Sequence, residues 1–401
     1  MRLMIHPSTA HGSIQAPPSK SLAHRALICA ALAGGTGVVR GIAPSEDLLA
    51  TMDCLRALGA DVRYHNGAAE VTGLDLQRVP DGAVLPCRAS ASTLRFLIPL
   101  ALLSGKGITF TGERRLLFRP LTVYQDLCTK RALTFALDEQ TLSVRGPLSA
   151  GDFSVPGNIS SQFVSGLLFA LPLLAGDSVI RLLPPVESRP YIDMTVAALR
   201  EYGVNVSFSG QEILVPGNQR YFARDTAIEG DWSNGAFFLA LNALGGQVEV
   251  SGLTADSTQG DRVCLSLFED LRSGTPAVDL SDCPDLGPVC MVLAAALHGG
   301  TFTGIRRLRL KESDRCAAMA RELAKFGVLA TASENTMTIP ASPLRRPVGP
   351  LESHGDHRIA MALSILATRT GGVIEGAEAV NKSMPDFFDR LRDLGIEVTE
   401  Q

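Results

Sequence analysis

Along the chain, stretches that are apolar on nearly every face alternate with stretches whose apolar positions recur at a helical period. Six of the first kind occur: LAHRALICAALA, STLRFLIPLALL, SQFVSGLLFALPLLA, SNGAFFLALNAL, PVCMVLAAAL and HRIAMALSILA. Helices so uniformly apolar belong in an interior rather than at a surface. Each is followed by a short segment that opens on glycine and reads as a strand: GTGVVRGI, GKGITFTG, GDSVIRLL, GGQVEVSG, GGTFTGIR and GGVIEGAE. These segments start at residues 35, 105, 176, 245, 299 and 371, spacings of 70, 71, 69, 54 and 72, a regularity that marks an internal repeat. A loop and an amphipathic helix come next. Four of these second helices end alike, in LRALGADV, LREYGVNV, LAKFGVLA and LRDLGIEV, where the glycine suits a left-handed C-cap leading into a strand.

The repeat therefore reads as strand–helix–strand–helix–strand. One such unit cannot bury its own apolar face, whereas three around shared buried helices make a domain. The pattern predicts an α/β protein of two similar domains, each of three repeats around buried helices, with a hinged cleft between them. The first domain is expected over residues 14–224, and the second over 1–13 and 225–401. The fourth repeat is short because a hairpin is missing between Arg272 and Pro276, and the sixth ends without its last strand. The N-terminal RLMIHP is a strand in need of a partner and is assigned to the second domain. The chain then crosses between domains twice, near Gly12–Pro18 and Arg220–Gly230. Two crossings form a double hinge, which suits a cleft that opens and closes.

Composition narrows the function. With 401 residues, 46% hydrophobic and 19% charged, the chain has ample material for a large core. A net charge of −4 provides no global field for nucleic acid or an anionic membrane, so any anion must be held by local groups. The apolar stretches fall short of the roughly 18 residues of a membrane span. The N-terminus shows neither a signal-peptide nor a transit pattern, so a cytoplasmic location is expected. The eight cysteines include no C-x-x-C pair and read as reduced thiols. No metal-ligand spacing, Ser/His/Asp arrangement, G-x-G-x-x-G or Walker sequence is present.

The unusual residues gather where the buried helices begin. These starts read PSKSLAHR, RASASTLR, GNISSQF, GDWSNGA, CPDLGP and HGDHRIA. A helix N-terminus with unpaired N–H groups is a weak anion site. Only six lysines occur, and Lys20, Lys311 and Lys382 lie in loops at or beside these starts, joined by Arg25, Arg119, Arg315 and Arg358. Singly, each reads as a solvated charge. As a set on equivalent loops of a repeat, they suit a ligand with several phosphate or carboxylate groups. Two carboxylates stand out. Asp285 could cap the fifth buried helix, and Glu312 sits in a Lys-Glu-x-Asp-Arg run that could be an ordinary helix start. Among cations, both are also candidates for general acid–base work, which favours chemistry on a polyanion over plain binding. Ser160, Ser161 and Gln162 in GNISSQF offer a phosphate or polyol site or a simple cap. Ser188 in VESRPYID is the matching hydroxyl on the following loop.

The motifs PPSKSLAHRAL, GNISSQF, VESRPYIDMT, GDWSNGAFFLA, LRLKESDR, GDHRIAMAL and NKSMPDFF, in that order from about Ile14 to Leu394, resemble the 5-enolpyruvylshikimate-3-phosphate synthase family. The resemblance implies a two-domain, six-repeat fold and a transferase of aromatic amino acid biosynthesis. Phosphoenolpyruvate would donate its enolpyruvyl group to the 5-hydroxyl of shikimate 3-phosphate through a tetrahedral ketal. No metal or organic cofactor is implied. The two small molecules would be the only partners, and the chain is expected to act as a monomer. By motif, Ser21, Arg25, Ser160, Ser161, Gln162 and Ser188 would hold shikimate 3-phosphate, with Lys311 touching the same side. Lys20, Arg119, Arg315, Arg358 and Lys382 would hold phosphoenolpyruvate. Asp285 would be the base for the 5-hydroxyl, and Glu312, with Lys20 or Lys382, would manage the methylene proton.

Three positions depart from the family pattern. Ala89 and Ala91 stand where close relatives usually carry an acid and a glycine in E-S-G-S-T-L-R, and Arg307 stands where asparagine is frequent. Ala91 would place a methyl beside the phosphoenolpyruvate site, which implies reduced sensitivity to glyphosate, the family's inhibitor. A related reading, UDP-N-acetylglucosamine enolpyruvyl transferase, expects Lys-Asn in place of Lys20-Ser21 and a cysteine in the loop GERRLLFRP, which has none. A non-catalytic polyanion-binding scaffold is the remaining alternative, with the alanines near residue 90 as its support.

Overall fold

Each apolar stretch is a helix in the computed structural model, which describes all 401 residues. The six are Lys20–Leu32, Ala91–Leu103, Ser161–Ala170, Trp232–Ala243, Gly287–Ala296 and His357–Thr370. Nearly all of their residues are buried. The glycine-opened segments are the strands Thr36–Arg40, Gly107–Thr111, Ser178–Leu183, Gln247–Ser251, Gly300–Thr303 and Gly372–Glu375. The amphipathic helices follow at Glu46–Ala57, Thr122–Lys130, Arg189–Glu201, Cys264–Ser273, Arg315–Lys325 and Phe387–Asp393. At their exits Gly59, Gly203, Gly327 and Gly395 have φ of 106°, 85°, 85° and 81°, as a left-handed cap requires. No helix is long and apolar enough to cross a membrane.

Residues Pro18–Glu229 form one compact unit, with a single core built around the first three buried helices. It contains three four-stranded sheets on one plan. In the second repeat, Ala83–Pro86 runs parallel to Gly107–Thr111, which pairs antiparallel with Thr141–Arg145, itself antiparallel to Thr134–Leu137. The segment after each amphipathic helix thus supplies a hairpin, one strand more than the sequence pattern counts.

Met1–Pro17 and Gly230–Gln401 form the second unit, whose three buried helices touch one another pairwise within its own core. Its sixth-repeat sheet has the order Leu351–Glu352, Gly372–Glu375, Arg2–Ile5, Val398–Glu400. The N-terminal strand therefore occupies the place that the second hairpin strand takes elsewhere. In the fourth repeat only two strands pair, Gln247–Ser251 and His11–Gln15, and the helix Cys264–Ser273 leads to Ala277–Asp279 with no hairpin between.

Sheet pairing moves both unit boundaries from where the sequence places them. Residues 14–17 belong to the second unit because His11–Gln15 lies parallel to Gln247–Ser251. Residues 225–229 belong to the first because Thr226–Ala227 lies parallel to Thr36–Arg40. At each crossing, the strand that precedes a buried helix stays behind in the unit the chain is leaving.

The helix Ala91–Leu103 contains Pro99, which has no N–H for the carbonyl of Arg95 four residues back. The Tyr124 hydroxyl, buried in the core, reaches that carbonyl at 2.8 Å and also lies 3.0 Å from the carbonyl of Phe163. Gly166 completes the arrangement, since a Cβ there would strike the Tyr124 hydroxyl and the Arg95 carbonyl. Tyr124→Phe leaves a buried carbonyl without a donor and should cost about 1–3 kcal/mol of stability. Urea unfolding checks this. A midpoint equal to that of the parent chain would mean another donor replaces the hydroxyl.

Candidate active site

In the first unit, most of the candidate residues lie at or near the starts of its three buried helices, and Arg119 and Ser188 lie in loops that follow. Lys20 opens the first helix, and its Nζ lies 2.7 Å from the Asp47 carboxylate at the start of the next helix. Arg25 is 3% exposed and is held by neutral oxygens. Its Nε donates to Thr195 Oγ1 at 2.9 Å, and its Nη1 and Nη2 donate to the carbonyls of Ser21 and Tyr191 at 2.7 and 2.8 Å. Burial lowers its pKa to about 10. A guanidinium surrounded by dipoles rather than counter-ions leaves net positive charge in place.

Gln162 sits in the first turn of the third buried helix. Its Oε1 accepts from Arg95 Nη1 at 2.8 Å, and its Nε2 donates to Ser92 Oγ at 2.9 Å. The Ser160 hydroxyl accepts from the Gln162 N–H, so Ser160 does cap its helix, with Ser161 buried in the next position. Ser188 is fully buried at the start of Arg189–Glu201, with a left-handed φ of 55°. Arg119 is half-buried in the loop just before Pro120, whose carbonyl accepts from Arg95. Ala91 is the first residue of its helix and is buried, and Ala89 lies two residues before it. In this unit Arg95 and Asp47 join the candidates without having been singled out in the sequence. Arg95 stands in the quoted STLR stretch and could have been found there. Asp47 looks like an ordinary first-turn acid and offers no such signal.

In the second unit, Arg315 is the centre. It begins an amphipathic helix, yet it is 1% exposed. Its Nη1 meets Asp285 Oδ1, its Nη2 meets Glu312 Oε2, and its Nε meets Asp356 Oδ2, each at 2.9 Å. Lys311 Nζ and Arg358 Nη2 lie 3.3 Å from the two oxygens of Asp285, and Lys382 Nζ lies 3.4 Å from Glu312 Oε1. Asp285 sits in the turn Pro284–Leu286 ahead of its helix, and its carboxylate meets the cations. Asp314, by contrast, caps Arg315–Lys325 through the Ala317 N–H. Asp356 caps the sixth buried helix through the Arg358 N–H while binding Arg315, a double role that the sequence reading left unassigned. Arg307 is buried in the turn Arg306–Leu310.

Burial would raise the Asp285 carboxyl, but Arg358, then Lys311 and Arg315, outweigh it and hold the group well below the usual carboxylate range. Burial pushes the Lys311 ammonium down, and Asp285 restores it only in part. For Arg315, burial is overcome by Asp356, Glu312 and Asp285, which keep the guanidinium charged. Four cations and three carboxylates meet in these pairs, an arrangement that can receive an anion beside groups able to carry protons. All eight cysteines are free and buried, and no cluster of three ligating side chains is arranged to hold a metal ion.

Residues 5–391 match the family model described as EPSP synthase (3-phosphoshikimate 1-carboxyvinyltransferase). A 3-phosphoshikimate 1-carboxyvinyltransferase of Clostridium kluyveri is 41% identical, covering 99% of this chain and 98% of that protein. One from Clostridium perfringens is 36% identical, covering 98% of each. Among solved structures, an EPSP synthase of Acinetobacter baumannii superposes with a TM-score of 0.80 at 24% identity, covering all of both chains. The enolpyruvyl transferase NikO of Streptomyces tendae gives 0.79 at 14% identity, covering 100% of this chain and 98% of that one. These two structural likenesses bear on the fold alone.

One buried group beside the first cluster titrates in an accessible range. His24 is 1% exposed, and its Nδ1 lies 2.7 Å from Thr51 Oγ1, which in turn meets Thr93 Oγ1 at 2.7 Å. Burial lowers its pKa to about 3; Asp47 opposes the shift, while Lys20 and Arg25 reinforce it. In the unfolded chain the ring titrates near 6.5, so below that pH the unfolded state holds a proton that the folded state lacks. Stability therefore falls as pH drops, by about 2 kcal/mol from this group between pH 7 and pH 5. His24→Gln should remove that part of the loss. Urea unfolding of both proteins at the two pH values is the check, and equal losses would clear His24 as the cause.

Proposed function

The chain belongs to the EPSP synthase family, and we propose that the two clusters described above divide its reaction between them. The enolpyruvyl group of phosphoenolpyruvate passes to the 5-hydroxyl of shikimate 3-phosphate, and phosphate is released. Ser21, Arg25, Ser160, Ser161, Gln162 and Ser188 bind shikimate 3-phosphate, and Lys311 contacts the same ligand. Lys20, Arg119, Arg315, Arg358 and Lys382 bind phosphoenolpyruvate. Ala91 borders the same donor.

Asp285 accepts the proton of the 5-hydroxyl as its oxygen bonds to C2 of phosphoenolpyruvate. Glu312, with Lys20 or Lys382, delivers a proton to the methylene carbon. In the resulting ketal the bond from C2 to the phosphate oxygen breaks, the new methyl group returns a proton, and the enol ether re-forms. The observation that supports this reading best is that Arg315 grips Asp285 and Glu312 at once, both at 2.9 Å. The two carboxylates are thereby fixed beside the cations assigned to the donor.

The same cations that hold the Asp285 carboxyl down are the ones assigned to the donor. An anion seated on Arg315 and Arg358 neutralises part of that field, so Asp285 gains proton affinity once the donor has arrived. Acid–base power is then tied to occupancy, which favours ordered chemistry over stray proton transfer. The protein acts in the cytoplasm as a monomer on this reading.

A phosphate-release assay with phosphoenolpyruvate and shikimate 3-phosphate tests the activity, and absence of release with both substrates present would overturn it. Asp285→Asn and Glu312→Gln should each lower kcat by ~10²–10⁴ while shikimate 3-phosphate still binds. Near-normal turnover would remove that residue from the mechanism. Ala91→Gly should strengthen inhibition by glyphosate about 10–200-fold, since one methyl in a packed pocket is worth that much. Competition against phosphoenolpyruvate measures it, and unchanged inhibition would clear the methyl.

A further inference from the structure

The carboxylate on the Arg315–Lys325 helix is more deeply buried than either assigned acid. Glu322 is 0% exposed and lies seven residues, about two turns, from Arg315. Its Oε1 is 2.9 Å from His354 Nε2. Its Oε2 accepts from the Glu352 backbone N–H at 3.0 Å and lies 2.7 Å from Lys325 Nζ. Lys325 also donates to the Pro350 carbonyl at 2.7 Å. Alternate residues of the segment Pro350–Asp356 are therefore tied to one helix. Lys325 holds residue 350, Glu322 holds 352 and 354, and Arg315 holds 356.

That segment needs holding. His354 has φ of 55° and Gly355 has φ of 65°, two left-handed residues in succession. An L-residue stays in this region only where its surroundings fix it. The turn delivers Asp356, which binds Arg315 through Nε and Nη2 at 2.9 and 3.3 Å and accepts from Ser313 Oγ at 3.1 Å. It also delivers Arg358, whose Nη1 and Nη2 both reach Asp285 at 3.3 Å.

From this we propose that Glu322 is a positioning residue for the enolpyruvyl transfer: by clamping His354 and the Glu352 backbone it fixes the turn that aligns Asp356 and Arg358 with Arg315 and Asp285. The inference rests on the assignment of Arg315, Arg358 and Asp285 made above. It concerns neither a ligand contact nor a proton transfer by Glu322 itself, which is enclosed.

The test is steady-state kinetics of the full chain with both substrates varied. Glu322→Gln keeps the shape but weakens the hold on His354 and Lys325. It should lower kcat/KM for phosphoenolpyruvate about tenfold, as a small misplacement of reacting groups does, and leave KM for shikimate 3-phosphate unchanged. His354→Asn tolerates the left-handed backbone but lacks the imidazole, and it should reproduce the same split even if Glu322→Gln folds poorly. A variant pair with lower melting temperature but unaltered kinetics per folded molecule would mean a purely structural role and overturn the proposal. Arg358→Lys, measured alongside, separates the two levels. If it leaves phosphoenolpyruvate kinetics intact, the assignment of the cluster fails. If it is impaired while both other variants match the parent chain, the assignment stands and the role of Glu322 fails.

Discussion

A guanidinium that is 1% exposed needs partners in the interior to replace water, and Arg315 finds three carboxylates. Removing one partner of a buried pair leaves an uncompensated charge, which typically costs about 3–5 kcal/mol. The three carboxylates come from three places: the turn before the fifth buried helix, the loop before Arg315's own helix, and the cap of the sixth buried helix. Satisfying one cation therefore fixes the starts of two buried helices and an amphipathic one relative to each other. The spacing of Asp285 and Glu312 follows from that requirement rather than from any ligand.

The repeats explain how such a centre arises. Each buried helix enters its core from a polar start, and in four of the six the start is capped by its own side chain: Ser90, Ser160, Asp231 and Asp356. The apolar bodies are interchangeable core material. The starts are where the copies differ, because a helix terminus has unpaired N–H groups and can exchange capping residues for cations at small cost to packing. The N-terminal strand shows the same economy at the level of sheets. Arg2–Ile5 fills the gap in the sixth sheet with a register from Arg2↔Glu375 to Ile5↔Gly372, so the last repeat is completed by the first residues of the chain.

Much of this was legible in the sequence because hydrophobic period and glycine spacing are local signals. The six buried helices, the six strands after them, the left-handed exits at Gly59, Gly203, Gly327 and Gly395 and the missing hairpin near Arg272 all lie within a few residues of their own cause. The unit boundaries were less legible. They depend on which distant strand accepts His11–Gln15 and Thr226–Ala227, and pairing across 236 and 187 residues leaves no local mark. The same distinction runs through the site. Lys20, Glu312 and Arg358 could be picked out as charges at helix starts. Asp47, Asp356 and Glu322 could not, since a first-turn acid, a cap and a mid-helix glutamate look ordinary until packing gives them partners.

Arg25 and Arg315 solve the problem of buried charge in opposite ways, and the difference matches what each is assigned to do. Arg25 is compensated by a hydroxyl and two carbonyls, dipoles that stabilise the cation without cancelling its field. Such a site attracts an anion at all times and needs no rearrangement when one binds. Arg315, Arg358, Lys311 and Lys382 are instead paired with carboxylates inside the protein. A ligand anion there competes with Asp285 and Glu312 for the same cations, so its arrival loosens both carboxylates. Loosened carboxylates are better proton acceptors. On the proposed assignment, binding and acid–base activation are then one event at Arg315, whereas Arg25 serves binding alone. The carboxylates that cost the second cluster some of its pull on an anion are the groups assigned to its proton transfers.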